Sequence, residues 1–146
     1  MQIEIKIDPA YQEPKVIVWT ASMTEEVEQM VGQLKGESVQ ILTGSREGWF
    51  EVLPPDQIIR IYAAGGKIYA VTEQGEYLLR LRLYELEKRL DPQRFIRISH
   101  SEIVNLDHVK GFDLNLVGTI CVRLKGGNVT YVSRRYMSKI KQILGV

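Results

Sequence analysis

The chain of 146 residues is poor in the residues that build metal and redox centres, with one cysteine, Cys121, and two histidines, His100 and His108. One thiol closes no internal disulfide, and three such ligands cannot supply the Cys and His clusters of a structural zinc site. Long apolar runs are also lacking. None approaches the roughly 20 residues of a membrane-crossing helix, and the opening MQIEIKIDPA lacks the charged, apolar, then small-residue order of a secretion signal. A glycine-rich phosphate loop is missing as well: Gly65-Gly66-Lys67 lacks the P-loop spacing and precedes a strand pattern, so a hairpin turn is the better account. Cys121, between Ile120 and Val122, reads as a buried inert thiol, because activation needs a polar, electropositive setting. The expectation is a cytoplasmic protein that is no enzyme and holds neither metal nor cofactor.

What is present is ordinary for a globular domain, 45% hydrophobic and 25% charged residues, but the charge is unevenly placed. Residues 1–55 hold four basic side chains against nine acidic ones, a net of −5. From Arg94 onward nine basic residues face three acidic ones, a net of +6. A formal total of +1 therefore hides an acidic head and a basic tail, and local positive charge of that size attracts a polyanion by counterion release.

Ile3, Ile5 and Ile7 alternate with Glu4 and Lys6, and 16–19 (VIVW) follows Pro14, so two strands are expected. Ser22 and Glu25 have capping-box spacing before a helix carrying Val27, Met30, Val31 and Leu34 and ending at Gly36. Residues 1–38 thus read as a small acidic β-β-α segment with a regulatory or dimerisation role, and 39–146 as the main domain. From Val39 the pattern is mostly β: VQILT, GWFEVL, IIRIYAA, KIYAVT and GEYLLRL, then a short helix over Leu83–Leu90 ahead of Asp91-Pro92. Strands follow at FIRI, EIVNL, GTICVRL and VTYVS, with Gly126-Gly127-Asn128 as a hairpin turn. A last helix is capped by Ser133, with Met137, Ile140 and Leu144 as its apolar stripe.

Two segments combine cations with hydrogen-bonding groups. In FIRISHSEIVN, Arg97, Ser99, His100 and Ser101 stand together between two apolar strands, where a loop would present them to phosphates and base edges. In VSRRYMSKIK, Ser133, Arg134 and Arg135 open the last helix with Lys139 one turn on. A helix start flanked by arginines suits phosphate, and arginine also clamps guanine through O6 and N7.

These segments, with IIRIYAAGGKIYAVT, LRLYELEKRL, the NLDHVKGF continuation and the terminal SRRY, occur in an order that resembles the LytTR DNA-binding domain, an output domain of bacterial response regulators. The likeness covers residues 39–146. It implies a mostly β (α+β), elongated multi-stranded fold with short helices, whose loops read successive major grooves of double-stranded DNA. By the likeness, base-reading side chains come from the loop before KIYAVT (Lys67), from the loop inside FIRISHSEIVN (His100) and from the start of the last helix (Arg135, with Arg134 beside it). Asn105 is expected to hold the turn after its strand. Residues 1–36 are too few to fold a receiver domain. The short acidic head is similar to that of stand-alone LytTR regulators, which implies a small membrane protein that restrains the regulator.

The leading expectation is a stand-alone transcriptional regulator that binds promoter repeats as a homodimer. The alternative is a non-catalytic interaction module whose basic C-terminal part meets an acidic partner. RNA binding finds less support, because Phe95, Phe112, Tyr131 and Tyr136 are spaced as core and not as a stacking platform.

Overall fold

The computed structural model describes residues 1–35 and 41–146, which belong to two units, residues 1–39 and 40–146. The ends of the expected helix at Gly36 and of the expected strand at Val39, and the boundary between 38 and 39, lie outside the described residues.

In the first unit the sequence expectation is half met. Helix α1 spans Glu25–Leu34, and its N-cap is Thr24, whose Oγ1 accepts from the Val27 N–H, in place of the expected Ser22–Glu25 box. The two expected strands do not form: residues 1–24 make no ladder, and Ile3, Ile5, Ile7 and Trp19 are exposed. The physical reason is that alternation defines a face but supplies no neighbour, and a strand exists only where another strand satisfies its N–H and C=O groups.

In the second unit those partners are present. Strands β1 (Thr43–Arg46), β2 (Trp49–Val52), β3 (Arg60–Ala64), β4 (Lys67–Thr72), β5 (Gly75–Leu79), β6 (Phe95–Ser99) and β7 (Glu102–Asn105) form one antiparallel sheet ordered β2-β1-β5-β4-β3-β7-β6. Strands β8 (Val109–Asp113), β9 (Ile120–Leu124) and β10 (Val129–Val132) form a second sheet ordered β10-β9-β8. Helix α2 (Leu83–Arg89) lies between β5 and β6 in the chain, and helix α3 (Arg134–Leu144) follows β10. The β3–β4 turn is made by Gly65 and Gly66, with φ of +58° and +76°, a left-handed backbone that glycine adopts without penalty. The expected VQILT strand is displaced, since β1 begins at its last residue. Strand β8 was not foreseen, because Lys110 and Gly111 interrupt any apolar alternation.

Two cores lie on opposite faces of the β6–β7 hairpin. Phe95 and Ile103 join Ile58, Ile61, Ile68, Leu79 and Leu86 in one; Ile96, Ile98 and Val104 join Ile120, Val122, Val132 and Ile140 in the other. A hairpin covered on both faces needs apolar residues at successive positions, which is why FIRI and EIV read as runs and not as alternation. Asn105 ends it fully buried, its Nδ2 donating to the Ile58 carbonyl at 2.8 Å and its Oδ1 accepting the Asp107 N–H at 3.0 Å. Its expected structural role is thereby met. Cys121 is buried in β9.

Candidate nucleic-acid interface

Antiparallel register brings the expected DNA-facing segments to one end of the large sheet. Lys67 opens β4 opposite Ala64, at the β3–β4 turn. One residue back on β3, the Ala63 N–H donates to the Ser101 carbonyl at 2.8 Å, which joins that turn to the β6–β7 loop. A register shift between Arg97 and Ser99 leaves Ile98 out of the ladder with β7, and its carbonyl accepts the Ser133 N–H at 2.9 Å. A bulge of this kind re-aims a strand end; here it fastens the first residue of the last helix beside the loop. Three backbone links therefore set Lys67, residues 99–101 and the α3 start side by side, although they are far apart in sequence.

Within the loop the roles differ from the sequence expectation. Arg97 turns onto its own loop: Nε donates to the Ser99 carbonyl at 2.7 Å, Nη2 to the His100 carbonyl at 2.5 Å, and Nη1 pairs with Glu87 of α2. Its side chain is only 10% exposed, so it braces the loop. Ser99 Oγ accepts the Ser101 N–H at 3.2 Å and lies 3.4 Å from Ser101 Oγ, a local hydroxyl turn. His100 stands at the exposed tip. Behind the loop, Glu102 is 9% exposed and is matched by Arg60 at 3.0 Å and by Thr130 Oγ1, which donates at 2.7 Å. A carboxylate this buried is tolerated because it is paired and hydrogen-bonded. His108 contacts the carbonyl of Asp56, a residue far from it in sequence, at 2.7 Å.

Helix α3 buries Ile140 and packs Tyr136, Met137 and Leu144 on the second core, leaving Arg134, Arg135 and Lys139 exposed. Arg135 and Lys139 are four residues apart and share a face. Ser133 is the N-cap, but its side chain accepts no helix N–H, contrary to the capping role expected of it. No acid stands in the first turn, where the helix dipole disfavours cations. Two arginines in that turn are favoured once an anion sits between them and the helix N–H groups. Among the described residues Lys67, Arg134, Arg135 and Lys139 make no ion pair.

A β-rich body that presents an exposed lysine on one turn, an exposed histidine on a second loop and exposed arginines at one helix start has the features of a nucleic-acid-binding module. Among the described residues there is no helix-turn-helix, since five strands separate α1 from α2 and five more separate α2 from α3. Residues 49–145 match the LytTr DNA-binding domain family, and the chain belongs to it. An uncharacterized HTH-type transcriptional regulator of Staphylococcus aureus strain MSSA476 is 31% identical over 147 residues, spanning 100% of this chain and 99% of that protein, and its counterpart in strain MW2 is equally similar. Among solved structures, the LytTr DNA-binding domain of a Bacillus cereus response regulator superposes with a TM-score of 0.70 at 25% identity, covering 73% of this chain and 97% of that one. The protein is a DNA-binding transcription regulator of the LytTR type with a mostly β fold, as its sequence leads one to expect. Among the described residues no helix is long and apolar enough to cross a membrane.

Proposed function

We propose that the loop end of the large sheet reads duplex DNA, with Lys67, His100 and Arg135 on base edges in successive major grooves and Arg134, Lys139, Ser101 and Ser133 on phosphates. Arg97 and Ser99 hold the loop that carries His100. The observation that carries this reading is the chain of backbone links from Lys67 through Ser101 and Ile98 to Ser133. A doubly buried hairpin behind the loop gives the rigidity that base readout requires.

The protein acts in the cytoplasm, without catalysis, as a homodimer on repeated promoter half-sites. Residues 1–38 serve dimerisation or restraint by a small membrane protein; the unpaired apolar positions Ile3, Ile5, Ile7 and Trp19 support an intermolecular role for this segment. A pull-down from membranes checks the restraining partner, and recovery of no membrane protein argues against it.

The reading is tested by fluorescence anisotropy with a labelled duplex from upstream of the protein's own gene, over several salt concentrations and with excess random competitor. Tight, competitor-resistant binding with a steep salt slope is expected. Binding that vanishes under competitor contradicts it and favours an acidic protein partner for the basic tail.

A further inference from the structure

Beside the β3–β4 turn lies a hollow of about 210 Å³ lined by Gly66, Lys67, Leu78, Arg80 and Arg82, among others. The β4–β5 ladder ends at Ile68↔Leu79, and the residues just beyond that pair, Lys67 and Arg80, both line the hollow. Ile68 and Leu79 point into the first core, so Lys67 and Arg80 stand on the opposite face, and Arg82 follows two residues on in extended backbone. All three are exposed, and among the described residues none of their side chains makes an ion pair: Glu85 meets only the Arg82 backbone N–H, at 3.2 Å, and Arg80 lies over the Phe50 ring at 5.0 Å from its centroid. Like charges gathered around one hollow repel one another unless something neutralises them. Gly66 contributes bare backbone to the rim, so an anion can approach closely.

The geometry points to a phosphate-binding subsite formed by Lys67, Arg80 and Arg82 that takes a phosphodiester of the DNA backbone on the side of Lys67 away from the helix α3 start. The inference rests on the DNA-reading proposal and lengthens its footprint: Arg80 and Arg82 bind backbone of any sequence, while Lys67 turns between backbone and base edge. Two guanidiniums on phosphates release about two counterions, so their removal should flatten the plot of log affinity against log salt by about 1.8.

The test compares the native chain with Arg80→Ala/Arg82→Ala and Arg80→Lys/Arg82→Lys in anisotropy titrations against a specific and a random duplex between 50 and 200 mM salt, with thermal melts as a folding control. The alanine variant is expected to show the flatter slope with both duplexes, so that it loses about 12-fold less affinity over that salt range, and the lysine variant to keep the native slope. The lysine variant also keeps the result readable should the alanine pair fail to fold, because Arg80→Glu/Arg82→Glu in the same titration must then give a still flatter slope than the lysine pair. Slopes unchanged in the alanine and glutamate variants overturn the inference. Inorganic phosphate titrated by calorimetry separates the sources: uptake by the native chain alone, with unchanged DNA slopes, assigns the site to a free anion and overturns the backbone reading. Failure of the wider DNA-reading proposal shows elsewhere, as an unaltered ratio of specific to random binding in Arg135→Ala.

Discussion

Four arginines in the body of residues 41–146 are matched to carboxylates: Arg60 to Glu102, Arg97 to Glu87, Arg94 to Asp107 at 3.5 Å and Arg123 to Asp113 at 3.8 Å. At the loop end of the large sheet, Lys67, Arg134, Arg135 and Lys139 have no such match among the described residues. The same residue type thus serves two ends. The tightly matched Arg60 and Arg97 spend their donors on the protein itself, whereas an unmatched arginine keeps its charge and donors for a phosphate or a guanine. Counting basic residues in the sequence gives the size of the electrostatic footprint, and the carboxylates decide which of them remain in it.

Breaking a matched pair in the body should have the largest effect, and on stability. Glu102→Ala leaves Arg60 and Thr130 without their acceptor in a nearly dry site and should lower the unfolding free energy by about 2–3 kcal/mol, seen as a lower urea midpoint. An unchanged midpoint would mean that water replaces the carboxylate. Arg135→Ala should leave stability alone and reduce discrimination between specific and random duplex by about 1–3 kcal/mol, measured by competition. Lys67→Ala and His100→Ala should relax specificity by similar or smaller amounts, each at a different base position in a selection experiment. Arg97→Ala lies between the two regions: it should cost about 1–2 kcal/mol of stability and weaken specific more than random binding, because the His100 tip loses its brace. Lys139→Ala should weaken all duplexes alike, with a salt slope flatter by about 0.9.

The smallest effect concerns alkaline pH. Tyr62 donates to Glu76 at 2.8 Å and Tyr77 to Glu51 at 2.9 Å, and these hydrogen bonds, followed by desolvation, push both phenols above the ordinary value of 10.0. Folding thus favours the neutral phenols. Their stabilisation is complete below the unfolded value near pH 10 and is lost as pH rises through the raised folded values. Ultraviolet titration should show two late tyrosines, and Tyr62→Phe/Tyr77→Phe should remove them.

The elements of the main unit were legible wherever local pattern and tertiary partner agree. KIYAVT is β4, GEYLL opens the β5 segment, and 83–89 is the helix expected just before Asp91-Pro92. The loops carrying Lys67 and His100 were legible because Gly65-Gly66 and Ser99–Ser101 are turn formers with local reasons to turn. What escaped depends on residues distant in sequence. Arg97 reads as an exposed cation until Glu87 and the loop carbonyls are placed around it. Arg80 and Arg82 read as ordinary charges flanking a helix, and only the folded chain gathers them with Lys67 around one hollow, although the RLR alternation after an apolar strand was a usable signal. At the N-terminus the pattern misled in the other direction: the isoleucines of residues 3–7 alternate as a strand's do, but a face without a neighbour forms no ladder.

The central claim is that unmatched cations at the loop end carry DNA while matched ones do not, and the salt dependence of duplex affinity measures that difference directly. Titrations of the native chain, Arg134→Ala/Arg135→Ala and Arg97→Ala against one specific duplex should give a slope flatter by up to about 1.8 in the double variant and the native slope in Arg97→Ala, even though the latter binds more weakly. A flatter slope in Arg97→Ala, or a native slope in the double variant, would contradict the account, since it would place the matched guanidinium on the phosphates or take the helix α3 start away from them.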